Sequence, residues 1–351
     1  MQIQLICHLN FAKGFRGGER QTQLLIEELA RLGFKQQLIL RKGSELIKHC
    51  ENIKNLEIIA INKPYILHMS AIKGASLLHA HETKAAQFAF FVNLFMSIPY
   101  VITRRVDNPI KHNFLNRKIY TNAAKVVALS RAIESEILKI APKAQTEIIP
   151  SAYTNAALHL DKVDAIKKRF TGKYFVGNVG ALDDGHKGQS YLIEVAKVVE
   201  NSHPDIHFIF VGRGQDEAKL KEQAKGLTNV TFEGFVDNVN DYISSFNLFV
   251  FPSNNEGLGS ILLDVMQLNT PIIASEVGGI VDIIDNGTNG LLTPAKDSTA
   301  IQQALLDLYN NKDKANTLAV NAKKNINNYS AANMALQYQK IYNEVQRNNE
   351  I

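Results

Sequence analysis

Cysteine is scarce, with Cys7 and Cys50 the only two in the chain. Cys7 sits inside an apolar run that reads as a buried strand, so the pair offers neither a disulfide framework nor a cysteine-based zinc site, and a reducing, cytoplasmic setting fits best. Long hydrophobic runs are missing as well. The longest, from Ala85 to Val101, is broken by Gln87, Asn93, Ser97 and Pro99, so it reads as a buried helix followed by a strand and not as a membrane span. The opening MQIQLICHLN has no charged lead, extended apolar core or small-residue cleavage site, which makes it a first strand and not a signal peptide. No short repeat or low-complexity tract occurs, which excludes solenoids. No nucleic-acid motif or tight basic cluster with interleaved aromatics is found, and no nucleic-acid partner is expected.

What remains is an ordinary globular composition, 45% hydrophobic and 21% charged over 351 residues. That length exceeds what one core usually serves and implies two α/β domains of roughly 150 to 180 residues. Charge is divided unevenly. Residues 1–150 hold 21 Lys and Arg against 11 Asp and Glu, a net +10, and the other residues hold 18 against 23, a net −5, which together return the +5 of the chain. A basic first half suits an anionic membrane surface or an anionic acceptor, although scattered solvated lysines give the same count.

Short β-rich runs alternate with helical patterns, beginning with Ile3–Cys7, Arg20–Leu32, Gln37–Leu40, Leu77–His79, Lys84–Met96, Tyr100–Thr103, Lys125–Ala128 and Ala132–Ile140. The alternation restarts beyond Pro150–Gly172, from Phe175–Val179 to Ile272–Ala274. Two parallel sheets wrapped by helices follow from this pattern, each a Rossmann-like unit. A last helical stretch, Ala331–Val345, closes the chain.

Gly17 and Gly18 lie between the first strand and its helix, where free backbone N–H groups and the positive end of the helix dipole suit an anion. A tight turn alone would also select them, and GGER is not the GxGxxG of a dehydrogenase. The most informative run is FPSNNEGLGSILLDVMQLNTPIIASEVGGIVDIIDNGTNG, Phe251–Gly290. Glu256 falls in a loop after an apolar strand, at the sheet edge where open α/β sheets bind ligands, and Asp264 follows eight residues later in a helix. A second glycine-rich turn, Ser275–Gly279, brings further backbone donors to that edge.

In this run the chain resembles the family 4 retaining glycosyltransferases of the GT-B fold (glycosyl transferases group 1). Glu256, Gly257, Gly259, Leu263, Met266, Pro271, Val277, Gly278, Gly279, Asn286, Gly287, Asn289 and Gly290 occur in the family's order. The resemblance implies two Rossmann-like domains facing across a cleft. Residues 1–152 would form the acceptor-side domain, completed by a C-terminal helix at 330–348 that buries Met334, Leu336, Tyr338 and Ile341 in part, and residues 153–329 the donor domain. It implies that Glu256 holds the donor sugar and Asp264 the ribose, although the family has Glu at the second position. Within GALDDGHKG, Lys187 fills the diphosphate-binding lysine position, whereas Ala181 stands where arginine is common. The backbone of Gly257, Leu258 and Gly259 would face the donor together with Gly17 and Gly18. Phe235 and Val236 would wall the base through backbone groups, and Arg213 would either stack on the base or coat the surface. In the first domain, Arg105 takes a slot where relatives carry a histidine and joins Glu256 and Lys187 as a catalytic candidate. His81, Arg104 and Asp107 are candidates for the acceptor or the cleft; a structural ion pair is the alternative for the arginines, and core packing for His81.

The implied reaction moves a sugar from a nucleotide-sugar donor, UDP-linked by family frequency, to an acceptor hydroxyl with retention of configuration. The product would belong to a surface polysaccharide, lipopolysaccharide or glycolipid. The sequence has no DxD-like motif in a suitable strand-end context, and neither His79 nor His81 has a partner spacing that argues for a metal, so no metal or other cofactor is expected. The expected location is cytoplasmic, peripheral to the inner face of a membrane. A phosphorylase would need a pyridoxal-binding lysine and a longer chain, and an epimerase should lack the acid pair. A catalytically dead binding subunit is the rival from another class, with Ala181 and Asp264 in its favour and Glu256, Lys187 and both glycine turns against it.

Overall fold

A computed structural model describes residues 5–72, 74–155 and 157–349. The chain divides into two compact units, Met1–Ala152 with Asn328–Ile351, and Tyr153–Asn327. No helix among the described residues is long and apolar enough to cross a membrane.

The first domain is a seven-stranded sheet of β1 (Ile6–Asn10), β2 (Gln36–Arg41), β3 (Leu56–Ile61), β4 (Leu77–Ala80), β5 (Tyr100–Arg104), β6 (Lys125–Ala128) and β7 (Thr146–Ile148). Every pairing is parallel, in the order β3-β2-β1-β4-β5-β6-β7. The central strands are buried end to end, as in a parallel sheet covered on both faces, and the polar residues they carry, among them His8 and His79, are buried with them. The expected first residues of the opening strand, Ile3 and Gln4, lie outside the described residues.

The Gly17–Arg31 helix buries Gln21, Thr22, Leu25, Ile26 and Leu29, a stripe at three-to-four-residue spacing. At its start the Glu19 carboxylate accepts from the Arg16 N–H at 2.9 Å. The Ala331–Asn349 helix packs against it and sends Met334, Tyr338, Ile341 and Tyr342 into a core shared with Ile6, Leu77, Val101 and Val127. Leu336, expected in that buried set, is 46% exposed. It stands about 200° around the helix from Met334, and Tyr342 supplies the burial instead. A second correction concerns the Thr83–Met96 helix, expected to be buried. Ala85, Ala86, Phe88, Ala89 and Val92 do face the core, but Leu94 and Phe95 are 62% and 66% exposed.

The second domain is a six-stranded parallel sheet of β8 (Tyr174–Val179), β9 (Ile206–Val211), β10 (Val230–Gly234), β11 (Leu248–Phe251), β12 (Ile272–Ser275) and β13 (Leu291–Thr293), ordered β10-β9-β8-β11-β12-β13. The segment Pro150–Gly172, expected only to separate the halves, contains the helix Leu160–Arg169, which buries just Val163 and Ile166. Its apolar residues, Leu160, Val163, Ala165 and Ile166, stand among six charged ones, which leaves only a weak stripe to read.

Candidate functional site

In an open parallel sheet the ligand crevice lies beyond the carboxyl ends of the strands at which the order reverses. In the second domain those strands are β8 and β11, and the loops after them carry Lys187 and Glu256. The Lys187 ammonium donates to Glu256 Oε2 and lies 5.3 Å from the centroid of the Phe251 ring. Their side chains are 20% and 14% exposed. This is a sheltered cation and carboxylate, each within reach of one bound molecule.

Glycine permits this approach. Gly188 has φ +64°, and a Cβ there would meet the Pro252 carbonyl oxygen at 2.2 Å. Gly278 has φ +51°, and its Cβ would lie 2.0 Å from the Glu256 carbonyl oxygen, which also accepts from the Gly279 N–H at 2.9 Å. The lysine loop is further tied by the Asn254 N–H, which donates to the His186 carbonyl at 2.9 Å. Three loops from three strand ends are thereby fixed around Glu256, the preorganisation that charge recognition needs.

Asp264, in the Ile261–Gln267 helix, is 7% exposed. Its Oδ1 accepts from the Thr154 N–H at 2.5 Å and from the Thr154 hydroxyl at 2.8 Å. The acid expected to meet a ribose therefore anchors the chain at Thr154. Leu258 is buried, while Gly259, at φ +79°, tucks against Glu256 Cγ. The two turns expected to wall the base meet through the Gly212 N–H, which donates to the Gly234 carbonyl at 2.7 Å. Exposed Arg213 lies along Gly234 beside Phe235, which is 68% exposed, and half-buried Val236.

In the first domain the two arginines part company. Arg104 turns inward, donating to the Tyr120 hydroxyl at 3.2 Å and to the Asn108 carbonyl, so it ties the loop after β5 and does not present itself to a ligand. Arg105 is half-buried, and its Cδ would touch a Cβ placed on Gly18 at 3.4 Å, whereas Gly17 faces open space. No carboxylate pairs with Arg105 among the described residues, and its buried Nε has no partner there. Burial pulls its pKa below the usual arginine range. A guanidinium short of partners beside a helix N-terminus is suited to an anionic or hydroxyl-rich group. Asp107 is half-buried, with Oδ2 unpartnered.

His81 packs behind Arg105, which donates to its Nδ1 at 3.4 Å. Sequence reasoning missed the rest of this arrangement. Gln36 donates its amide to the Ile26 carbonyl, so its Oε1 accepts from His8 Nε2–H at 3.0 Å, and His8 Nδ1 then accepts from His81 Nε2–H at 3.0 Å. His79 contacts the Tyr342 hydroxyl at 2.6 Å and Thr103 at 2.7 Å, and Thr103 contacts the Tyr338 hydroxyl at 2.7 Å. Ring nitrogens of the three histidines lie within 4.8 Å of one another, a spacing seen in metal sites. All six nitrogens already have hydrogen-bond partners and Arg105 adds a positive charge alongside, so the donor set suits a neutral hydrogen-bonded cluster better than a cation. Burial lowers the pKa of His8 to about 4 and holds those of His79 and His81 well below the usual range. The signal available in the sequence was His8 on the first strand, which pairs in register with His79.

Residues 173–311 match the family described as glycosyl transferases group 1. A glycosyltransferase of Methanocaldococcus jannaschii is 24% identical over 285 residues, 78% of this chain and 76% of its own. The alpha-D-kanosaminyltransferase of Streptomyces kanamyceticus is 25% identical over 361 residues, 86% and 92% of the two chains. The crystal structure of Anabaena HepE in complex with UDP-glucose is similar in fold, with a TM-score of 0.84 at 17% identity, over 97% of this chain and 99% of that one. Residues 173–311, within the second domain, thus match the glycosyl transferases group 1, and the likeness across both domains gives the chain the GT-B fold.

Proposed function

We propose that this enzyme transfers a sugar from a UDP-linked donor to an acceptor hydroxyl with retention of configuration and without a metal. The observation that carries the reading is the Lys187–Glu256 pair, held between β8 and β11 by glycine contacts. On binding, the Lys187 ammonium moves from the carboxylate to the diphosphate, and Glu256 accepts from sugar hydroxyls. The bond between the anomeric carbon and the diphosphate oxygen breaks while the acceptor oxygen bonds to that carbon on the same face. The acceptor proton passes to a phosphate oxygen, so the products are a glycoside and the nucleoside diphosphate. Lys187 supplies the positive potential that a metal provides elsewhere. Arg105 is the group of the first domain best suited to an anionic or hydroxyl-rich ligand.

The UDP choice is supported by the fold's likeness to HepE, whose structure contains UDP-glucose. An acceptor of the surface polysaccharide, lipopolysaccharide or glycolipid class is supported by the basic first half of the chain. Proton NMR of the first product from a donor of known anomeric configuration should give the same configuration. An inverted linkage would overturn the mechanism, and loss of turnover in EDTA would overturn its independence of metal.

A further inference from the structure

The Thr83–Met96 helix, TKAAQFAFFVNLFM, carries one charge in fourteen residues, Lys84. A surface helix ordinarily turns a polar stripe outward. This one has apolar residues all round: Ala85, Ala86, Phe88, Ala89 and Val92 fill the core, and half-buried Phe91 with exposed Leu94, Phe95 and Met96 form the outer face. The elements packed on either side continue the theme. The turn at Tyr65–Ile72 exposes Leu67 at 74%, and the Phe114–Asn122 helix exposes Phe114 at 75%. An apolar surface spread over three neighbouring elements is not what free solvent selects.

Its rim has one sign of charge. Residues 62–122 contain eight Lys and Arg against two Asp and Glu. Lys63, Lys84, Lys111, Arg117 and Lys118 are exposed, and none is ion-paired among the described residues. The two acids do not offset them: Glu82 is spent capping the helix through the N–H groups of Lys84 and Ala85, and Asp107 is half-buried. Lys118 stands 5.5 Å over the exposed Phe114 ring, an aromatic and an ammonium presented together. A neutral apolar partner leaves those cations unmatched, whereas phospholipid headgroups of negative charge match them while the acyl boundary takes the Leu and Phe side chains.

We propose that this face of the first domain docks the enzyme on an anionic lipid bilayer, with Leu94, Phe95, Leu67 and Phe114 inserted at the headgroup level and Lys111, Arg117 and Lys118 on lipid phosphates. The inference deepens the glycolipid and surface-polysaccharide reading above by naming the surface that reaches the membrane. The fourteen-residue helix extends about 21 Å, too short for a hydrocarbon core of about 30 Å, so the attachment is interfacial.

Flotation of the full chain with vesicles tests it. The protein should float with phosphatidylcholine vesicles containing phosphatidylglycerol, release in high salt, and stay behind with phosphatidylcholine alone. Leu94→Glu with Phe95→Glu, and separately Arg117→Glu with Lys118→Glu, should each weaken flotation about tenfold or more while leaving the melting temperature and calorimetric UDP binding unchanged. Unchanged UDP binding in these variants separates failure here from failure of the glycosyltransferase reading. The proposal falls if the wild type does not float, floats equally with neutral vesicles, or if the variants float as well as the wild type. A wild-type dimer that becomes monomeric in Leu94→Glu/Phe95→Glu would assign the face to a second copy of this chain and overturn it as well.

Discussion

A side chain on Gly278 would place its Cβ 2.0 Å from the carbonyl oxygen of Glu256, the acid at the carboxyl end of β11. The turn after β12 is thus a backbone support for Glu256, and only glycine allows the approach. Gly278→Ala should push the Glu256 loop outward and lower turnover at least as much as it lowers stability, the strain itself costing roughly 1–3 kcal/mol. Gly226→Ala is the matched control, with φ +86° and open space around it. Thermal melts and turnover measured side by side should show a loss of stability in both and a collapse of activity only in Gly278→Ala.

Glu256→Gln preserves the side chain's shape but removes the charge that pairs with Lys187 and that, in the proposed reaction, accepts from sugar hydroxyls. Turnover should fall by about 2–4 kcal/mol of transition-state stabilisation, with a much smaller change in UDP affinity. Near wild-type turnover would remove Glu256 from the role assigned to it.

Lys187→Ala should weaken binding of free UDP, because Ala181 provides no second cation in the same loop system. Ala181 is exposed, so Ala181→Arg has room to extend and should restore part of the affinity. Calorimetry on the single and double variants decides the matter: an unchanged affinity in Lys187→Ala would remove Lys187 from the diphosphate contact.

The histidine cluster makes the first domain sensitive to acid. Burial depresses the folded-state pKa of His8, His79 and His81, so the unfolded chain binds more protons than the folded one below the usual histidine value. The contribution is complete above the usual 6.5 and drains away as pH falls toward the folded value, about 4 for His8. Glu82, whose pKa burial raises, acts with the opposite sign, but it is one group against three. Melting followed by circular dichroism should show stability falling from neutral pH through pH 5. A flat profile over that range would mean the histidines are accessible to protons in the folded protein.

Alternating strands and helices make both sheets legible from sequence, and the glycine-rich run after β11 points to Glu256. Lys187 was found because GALDDGHKG resembles the lysine loop of the family. The division of labour between Arg104 and Arg105 was not legible. Adjacent residues at a strand end alternate in direction, and which one points inward is settled by Tyr120 and Asn108, about which the sequence is silent. The His8–His81–Gln36 chain was hidden because its members are brought together by register between β1, β2 and β4, not by spacing along the chain. Asp264 was identified as a site acid from its position, but its hydrogen bonds to Thr154 depend on a chain path that propensity does not describe.

The last helix joins the first domain through polar contacts as well as apolar ones. Tyr338 and Tyr342 are buried, and their hydroxyls reach Thr103 on β5 and His79 on β4. Removing residues from Ser330 onward would uncover Ile6, Leu77, Val101 and Val127 and leave His79 without one of its partners. Such a truncation should aggregate or fail to fold. Tyr342→Phe separates the two effects, because it keeps the ring and deletes only the hydroxyl on a buried imidazole, which should cost about 1–3 kcal/mol. Denaturant melts of Tyr342→Phe should show that loss while UDP affinity, which the proposal assigns to the second domain, stays unchanged. A truncated chain that remained monodisperse and fully active would show that the helix is dispensable and that the His79–Tyr342 contact holds nothing together.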